Sequence, residues 1–207
     1  MKNVFDEHYN KYDAWYDKNK FAYLSELEAV KKVLPVEGYG LEIGVGSGRF
    51  AAPLDIAVGI DPSKKMVELA KGRGVDARLG VGEELSFKDS IFDYVAIIVT
   101  LCFVQDPEKV ITETARVLKP NGKIIIGIVG KESVLGKLYM KRESIFYGHA
   151  RFFDIKGIMR MLRASGFSDF SYYQTIFNYS DKLNAVEKPQ KGSGKGGFVV
   201  ISAEKGE

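Results

Sequence analysis

The chain has 207 residues, 45% of them hydrophobic and 28% charged, a length that buries one core of ordinary domain size and a composition that excludes a disordered or fibrous chain. Thirty Lys and Arg against 27 Asp and Glu leave a net charge of +3, too small to signal an electrostatic grip on nucleic acid. The lone Cys102 suits a reducing compartment, Met1 to His8 lacks the apolar core of a signal peptide, and the longest apolar stretch, Tyr94 to Val104, is far short of the roughly 20 residues of a membrane-spanning helix; the expectation is one cytoplasmic domain with no membrane span.

From Phe21 to Leu34 the residues Leu24, Leu27, Val30, Val33 and Leu34 recur at helical spacing, with Glu26, Glu28, Lys31 and Lys32 elsewhere on the helix and Pro35 closing it. Short apolar runs follow at Gly40 to Val45, Ala57 to Ile60, Val75 to Leu79, Tyr94 to Leu101 and Ile124 to Val129, separated by helical patterns. Ser63 caps one helix, which stops around Gly72 to Gly74, Pro107 opens another, and Pro120-Asn121-Gly122 turns the chain into the fifth strand. Asp154 caps a helix running to Ser165, with Gly166 at its end. The last two strands, Asp169 to Phe177 and Phe198 to Ala203, have only a Lys-, Gly- and Ser-rich solvated loop between them and so pair antiparallel. Strand alternating with helix implies a parallel sheet with helices on both faces, here of seven strands, the last two forming a closing hairpin.

The sharpest local signal is Leu41-Glu42-Ile43-Gly44-Val45-Gly46-Ser47-Gly48-Arg49-Phe50, a strand running into three glycines at alternate positions. Glycines at the carboxyl edge of a first strand allow a tight turn and a close backbone approach to a ligand. A dinucleotide fingerprint spaces its third glycine one residue further on, where this chain has Arg49. Glu42, two residues before Gly44, would repel a pyrophosphate by on the order of 4 kcal/mol per close charge pair and attract an ammonium group by as much. Asp61 ends the next strand, where a carboxylate can accept both ribose hydroxyls.

With these motifs the sequence resembles the class I S-adenosylmethionine-dependent methyltransferases, especially the small ones with a ubiquinone-biosynthesis-type domain. The resemblance covers nearly the whole chain: Glu42 to Gly48, Val58-Gly59-Ile60-Asp61-Pro62-Ser63 with Met66, Gly82-Glu83-Glu84-Leu85-Ser86-Phe87, Phe92-Asp93-Tyr94-Val95, and Glu113 to Gly122. It implies a three-layer, Rossmann-like α/β fold of seven strands in the order 3-2-1-4-5-7-6, strand 7 antiparallel. The implied ligand is S-adenosylmethionine, with S-adenosylhomocysteine as product. Glu42 would meet the methionine moiety, Gly44, Gly46 and Gly48 would pass beneath it, Asp61 would hold the ribose, Pro62 and Met66 would border the adenosine, and Thr100 would lie near the sulfonium. Family members often carry an acid where this chain has Val81, which leaves the adenine edge to Gly82 and Glu83.

The resemblance also implies a division of the single domain 1–207. Residues 1–35 would form a lid and helix, 36–130 the cofactor core, 131–153 an acceptor-side insertion, and 154–207 the last helix and hairpin. Tyr12, Trp15 and Tyr16 are the candidate residues on the acceptor side, where aromatic faces can attract a cation or simply pack a lid. His149 is the candidate base, since its ordinary pKa near 6.5 suits proton removal at neutral pH, and its other reading is a loop histidine. The acceptor is expected to be a small molecule with a nitrogen, oxygen or carbon nucleophile; no nucleic-acid partner and no metal site are assigned. A nicotinamide-dependent oxidoreductase and a non-catalytic S-adenosylmethionine-binding module share the architecture and stand as the alternatives.

Overall fold

The computed structural model of the protein describes residues 4–178 and 183–206, without the side chain of His149. Three helices open it, α1 (Val4–Glu7), α2 (Tyr9–Lys18) and α3 (Lys20–Lys31), and then strand and helix alternate through β1 (Gly40–Ile43), β2 (Val58–Asp61), α4 (Lys64–Gly72), β3 (Asp76–Leu79), β4 (Phe92–Ile98), α5 (Pro107–Val117) and β5 (Leu118–Val129). The chain ends with α6 (Val134–Lys141), α7 (Ile155–Ala164), β6 (Phe167–Thr175), β7 (Gln190–Lys191) and β8 (Phe198–Lys205). One sheet holds all the strands in the order β3-β2-β1-β4-β5-β8-β6-β7. The first five run parallel, and β8 is antiparallel to both β5 and β6.

The strand period of two divides the core between the faces of this sheet. Ile124, Ile126 and Ile128 of β5 and Val199 and Ile201 of β8 pack with Val110, Ile111, Ile158 and Leu162 from α5 and α7. Their alternates Ile125, Phe198 and Val200 pack with Leu27, Ala29 and Val30 of α3 and Val67 and Ala70 of α4. Helices therefore cover both faces, and the central strands carry apolar residues at successive positions, as a doubly covered sheet requires.

The expected three-layer fold and its 3-2-1-4-5 core order are present, with particular departures. The closing hairpin contains an eighth, two-residue strand, β7, paired with Tyr173 and Gln174 of β6. Part of the loop that read as solvated is thus bonded to the sheet, and Gln174 also accepts from the backbone N–H of Lys195 and Gly196 at 2.8 Å each. The turn at Pro120-Asn121-Gly122 lies within β5, because Phe92 pairs with Leu118 and Tyr94 with Lys123, leaving it as a bulge. A positive φ of 52° at Val99 stops β4 at Ile98, short of the expected Leu101. Caps at Ser63, Asp106 and Asp154 accept from Met66, Lys109 and Gly157 at 3.2, 3.0 and 2.6 Å.

One cation braces the loop that follows β3. Arg116 donates to the carbonyls of Phe87 and Leu85 at 2.8 Å each, to Asp89 at 2.7 Å, and through two nitrogens to Glu113 at 2.9 and 2.8 Å. Glu113 in turn accepts from the backbone N–H of Leu85 at 2.8 Å. Such a fork fits a guanidinium and not an ammonium. Arg116→Ala is expected to lower the unfolding free energy by about 1–3 kcal/mol, seen as a lower urea midpoint with unchanged slope, and Arg116→Lys to recover only part of it; a midpoint equal to wild type in both would refute the brace.

Candidate functional site

The chain after β1 turns at three glycines with φ of 71°, 53° and 81° at Gly44, Gly46 and Gly48. These are left-handed angles that a side chain strains to adopt. A Cβ at Gly44 would overlap Thr100, and one at Gly48 would press on the backbone of Ala70 in α4 at 3.1 Å. Gly44 therefore lets the loop approach the end of β4, and Gly48 lets it pack against α4. Asp61 ties the assembly together. Its two carboxylate oxygens accept from the backbone N–H of Gly46 at 2.9 Å and of Ser63 at 2.8 Å, leaving further lone pairs on each oxygen. Burial pushes the pKa of this carboxyl, 8% exposed, up to about 6, with the two backbone bonds opposing the rise.

A cavity of about 530 Å³ lies over the carboxyl ends of the strands, within the roughly 300–1,000 Å³ typical of small-molecule sites. It takes Gly44 and Gly46 from the end of β1, Asp61 and Pro62 from β2, Gly80 to Glu83 from β3, and Val99 and Thr100 from β4. Met66 forms part of its wall, and Phe5 and Tyr12 of the N-terminal helices close it. Among the described residues, the charged side chains lining it are Asp61 and Glu83, both acidic. Glu42, 1% exposed, points to the α3 and α4 side of the sheet just behind the loop. Its Oε2 has no hydrogen-bond partner among the described residues, and burial, reinforced by the Asp61 charge, holds its carboxyl well above the usual range.

The N-terminal helices are latched onto this loop. Asp13 of α2 accepts from Ser47 at 2.6 Å, from Arg49 at 2.9 and 3.0 Å, and from Arg73 at 2.8 Å, which holds its carboxyl low, at about 2, against the cost of burial. Arg49 also reaches Asp17 at 2.8 and 2.9 Å. Asp6 of α1 accepts from the Ser63 hydroxyl at 2.6 Å. Beyond this latch a second cavity of about 460 Å³ shares Tyr12, Val99 and Phe103 with the first. Its walls carry Trp15, Tyr16, Tyr139, Phe146 and Tyr147.

The residues picked out in the sequence fall into groups. Gly44, Gly46, Asp61, Pro62, Met66, Gly82, Glu83 and Thr100 line the first cavity, while Gly48 supports the loop from below and Glu42 stands behind it. Glu83 spends Oε1 on the backbone N–H groups of Gln105 and Asp106, at 2.9 and 3.3 Å. Tyr12, Trp15 and Tyr16 all line the second cavity. His149 falls in the turn Tyr147–His149, its side chain outside the described residues. Glu26 departs from its sequence reading: it is 4% exposed and lines the second cavity instead of facing solvent. Phe5, Phe103 and Tyr147 escaped notice, because a lone aromatic in a loop or short helix leaves no periodic signal.

Known proteins place this architecture. A family model described as a methyltransferase domain matches residues 41–126. The chain is 48% identical, over 98% of its length and 99% of the other, to a Methanocaldococcus jannaschii protein described only as uncharacterized. It is 29% identical to the demethylmenaquinone methyltransferase of Oceanobacillus iheyensis, over 84% of this chain and 77% of that one. A crystal structure of an S-adenosylmethionine-dependent methyltransferase from Thermotoga maritima, described as a possible histamine N-methyltransferase, superposes with a TM-score of 0.95 at 46% identity, covering 98% of each chain. With an open α/β sheet, a glycine loop over its carboxyl edge and an acidic cavity beside it, the chain belongs to the class I S-adenosylmethionine-dependent methyltransferases.

Proposed function

We propose that this enzyme methylates a small-molecule acceptor by in-line displacement, with S-adenosylmethionine in the first cavity and the acceptor in the second. The observation that carries the ligand assignment is the charge of the first cavity, whose charged lining residues among those described are Asp61 and Glu83. An acidic wall attracts the ammonium and sulfonium of S-adenosylmethionine and repels the diphosphate of a nicotinamide cofactor. The unpartnered Oε2 of Glu42 behind the glycine loop supports the same choice. When bound, S-adenosylmethionine supplies a methyl group on positively charged sulfur, already activated for transfer.

The chain's own residues then have separable roles in this reading. Asp61 accepts the ribose hydroxyls with the lone pairs its backbone donors leave free, Glu42 favours the cationic amino-acid end, and Gly44, Gly46 and Gly48 let the backbone pass close beneath it. Pro62 and Met66 border the adenosine, Gly82 and Glu83 flank its base, and Thr100 faces the reacting centre. Tyr12, Trp15 and Tyr16 exclude water from the acceptor. Alignment and dryness supply most of the rate in such a displacement, and His149 is the proposed base for an acceptor that must lose a proton. Residues 1–207 act as one domain in this scheme, with 1–35 as lid and 131–153 as acceptor-side insertion.

Two measurements test it. Purified enzyme should transfer labelled methyl from S-adenosylmethionine to at least one member of a panel of amines, phenols, carboxylic acids and quinols, including the histamine and demethylmenaquinone named for two relatives; S-adenosylhomocysteine binding without transfer to any of them would favour a non-catalytic binding module. In titration calorimetry, S-adenosylhomocysteine affinity should be flat above neutrality and fall as pH drops through about 6, where the Asp61 carboxylate, its pKa raised by burial, takes up a proton. Asp61→Asn should weaken binding roughly 10- to 100-fold, the worth of one or two charge-assisted hydrogen bonds, and remove the acid limb. An acid limb unchanged in the variant would assign the titration elsewhere.

A further inference from the structure

Glu26 sits on α3, 4% exposed, and lines both the second cavity and a third of about 380 Å³ that also shares Trp15 with it. No hydrogen bond or ion pair reaches it among the described residues, and the groups around it add nothing that favours its charge; burial alone pushes its carboxyl up to about 8. A carboxyl in that position costs stability, and an uncharged side chain of the same size would remove the cost. Three cations also line the second cavity, Lys11, Lys18 and Arg142, and all three are exposed, whereas Glu26 is buried. The immediate company of Glu26 is aromatic: Trp15 and Tyr16 meet edge to face at 5.3 Å, and Tyr139 stacks on Tyr147 at 4.7 Å. Tyr12, Tyr16 and Tyr147 all lie close enough for the Glu26 charge to raise their pKa further, beyond the rise that burial causes.

A buried carboxyl without a partner, open to a cavity and walled by ring faces, is the complement of an organic cation. We propose that Glu26 anchors a methyl acceptor carrying a protonated amine, held in the second cavity against the rings of Trp15, Tyr16, Tyr139 and Tyr147. The inference rests on the reading of that cavity as the acceptor site and adds the charge of the acceptor to it. Because the two cavities share Tyr12, Val99 and Phe103, an acceptor anchored at Glu26 extends toward the first cavity along that shared wall. Glu26 is thus a specificity-determining residue, distinct from whatever group receives a proton during transfer.

Trp15, the single tryptophan of the chain and part of the cavity wall, reports occupancy directly. With S-adenosylhomocysteine present at saturation, Trp15 fluorescence is titrated with primary amines of increasing size from ethylamine to 2-phenylethylamine, each matched to the alcohol in which hydroxyl replaces the amine. The expected result is binding of at least one amine about tenfold or more tighter than its alcohol, the worth of one charge-assisted bond with a ring contact, and loss of that preference in Glu26→Gln. Calorimetry with S-adenosylhomocysteine on both proteins reports the cofactor site separately. Equal binding of amines and alcohols by the wild-type protein overturns the role of Glu26 and leaves a small-molecule cavity standing, and so does an amine preference that survives in Glu26→Gln. Normal cofactor binding with no response to any amine or alcohol overturns the anchor and leaves the small-molecule reading to the methyl-transfer panel. The wild-type comparison decides the matter even if the variant fails to fold.

Discussion

The carboxylate of Asp61 is bonded from two directions, by the N–H of Gly46 in the glycine loop and the N–H of Ser63 at the head of α4. Together with the N–H groups of Gly44 and Val45 on the Ile60 carbonyl, at 2.8 and 2.9 Å, those bonds fix the distance between the loop and the second strand, and the rest of the ligand side is built outward from them. Ser63 caps α4 through Met66 and donates to Asp6, which brings α1 to the same point. From the other flank Asp13 collects Ser47, Arg49 and Arg73, so α2 is held to the loop by charge-assisted bonds. A buried carboxylate is expensive unless it is bonded in this way. Asp61 offsets its burial with backbone hydrogen bonds, whereas Glu42, behind the glycine loop, and Glu26, on a cavity wall, have no such compensation in full.

Much of this was legible in the sequence, for physical reasons that can be named. The parallel core shows because strands buried on both faces carry near-continuous apolar runs, as Tyr94 to Leu101 does, and because Ser63 and Asp154 are side chains that satisfy free N–H groups at helix starts. The glycine loop shows because positive φ at three alternating positions admits little else. Asp61 and Glu42 stand out against it as charges at the ends of apolar strands.

What stayed hidden depends on contacts between distant segments. Glu26 looked like one of several charged residues on an amphipathic helix, and only the packing of α2, α6 and the 142–147 segment around α3 turns its face inward. The two-residue β7 has no hydrophobic period to read and exists because β6 offers it an edge. Arg49 could be excluded from a dinucleotide motif by spacing, yet its partner Asp13 lies 36 residues away, outside any local pattern.

The outermost strands of the sheet are β3, with four residues, and β7, with two. On β3 the exposed Asp76 and Arg78 pair at 2.6 Å, and β7 ends in Lys191 ahead of the glycines at 192, 194, 196 and 197. Short, charged borders give a second molecule too little unpaired backbone to zip onto. The apolar strands between them can thus be carried in one molecule without inviting fibrous polymerisation, because the self-association such strands would otherwise nucleate finds no open rail at either margin.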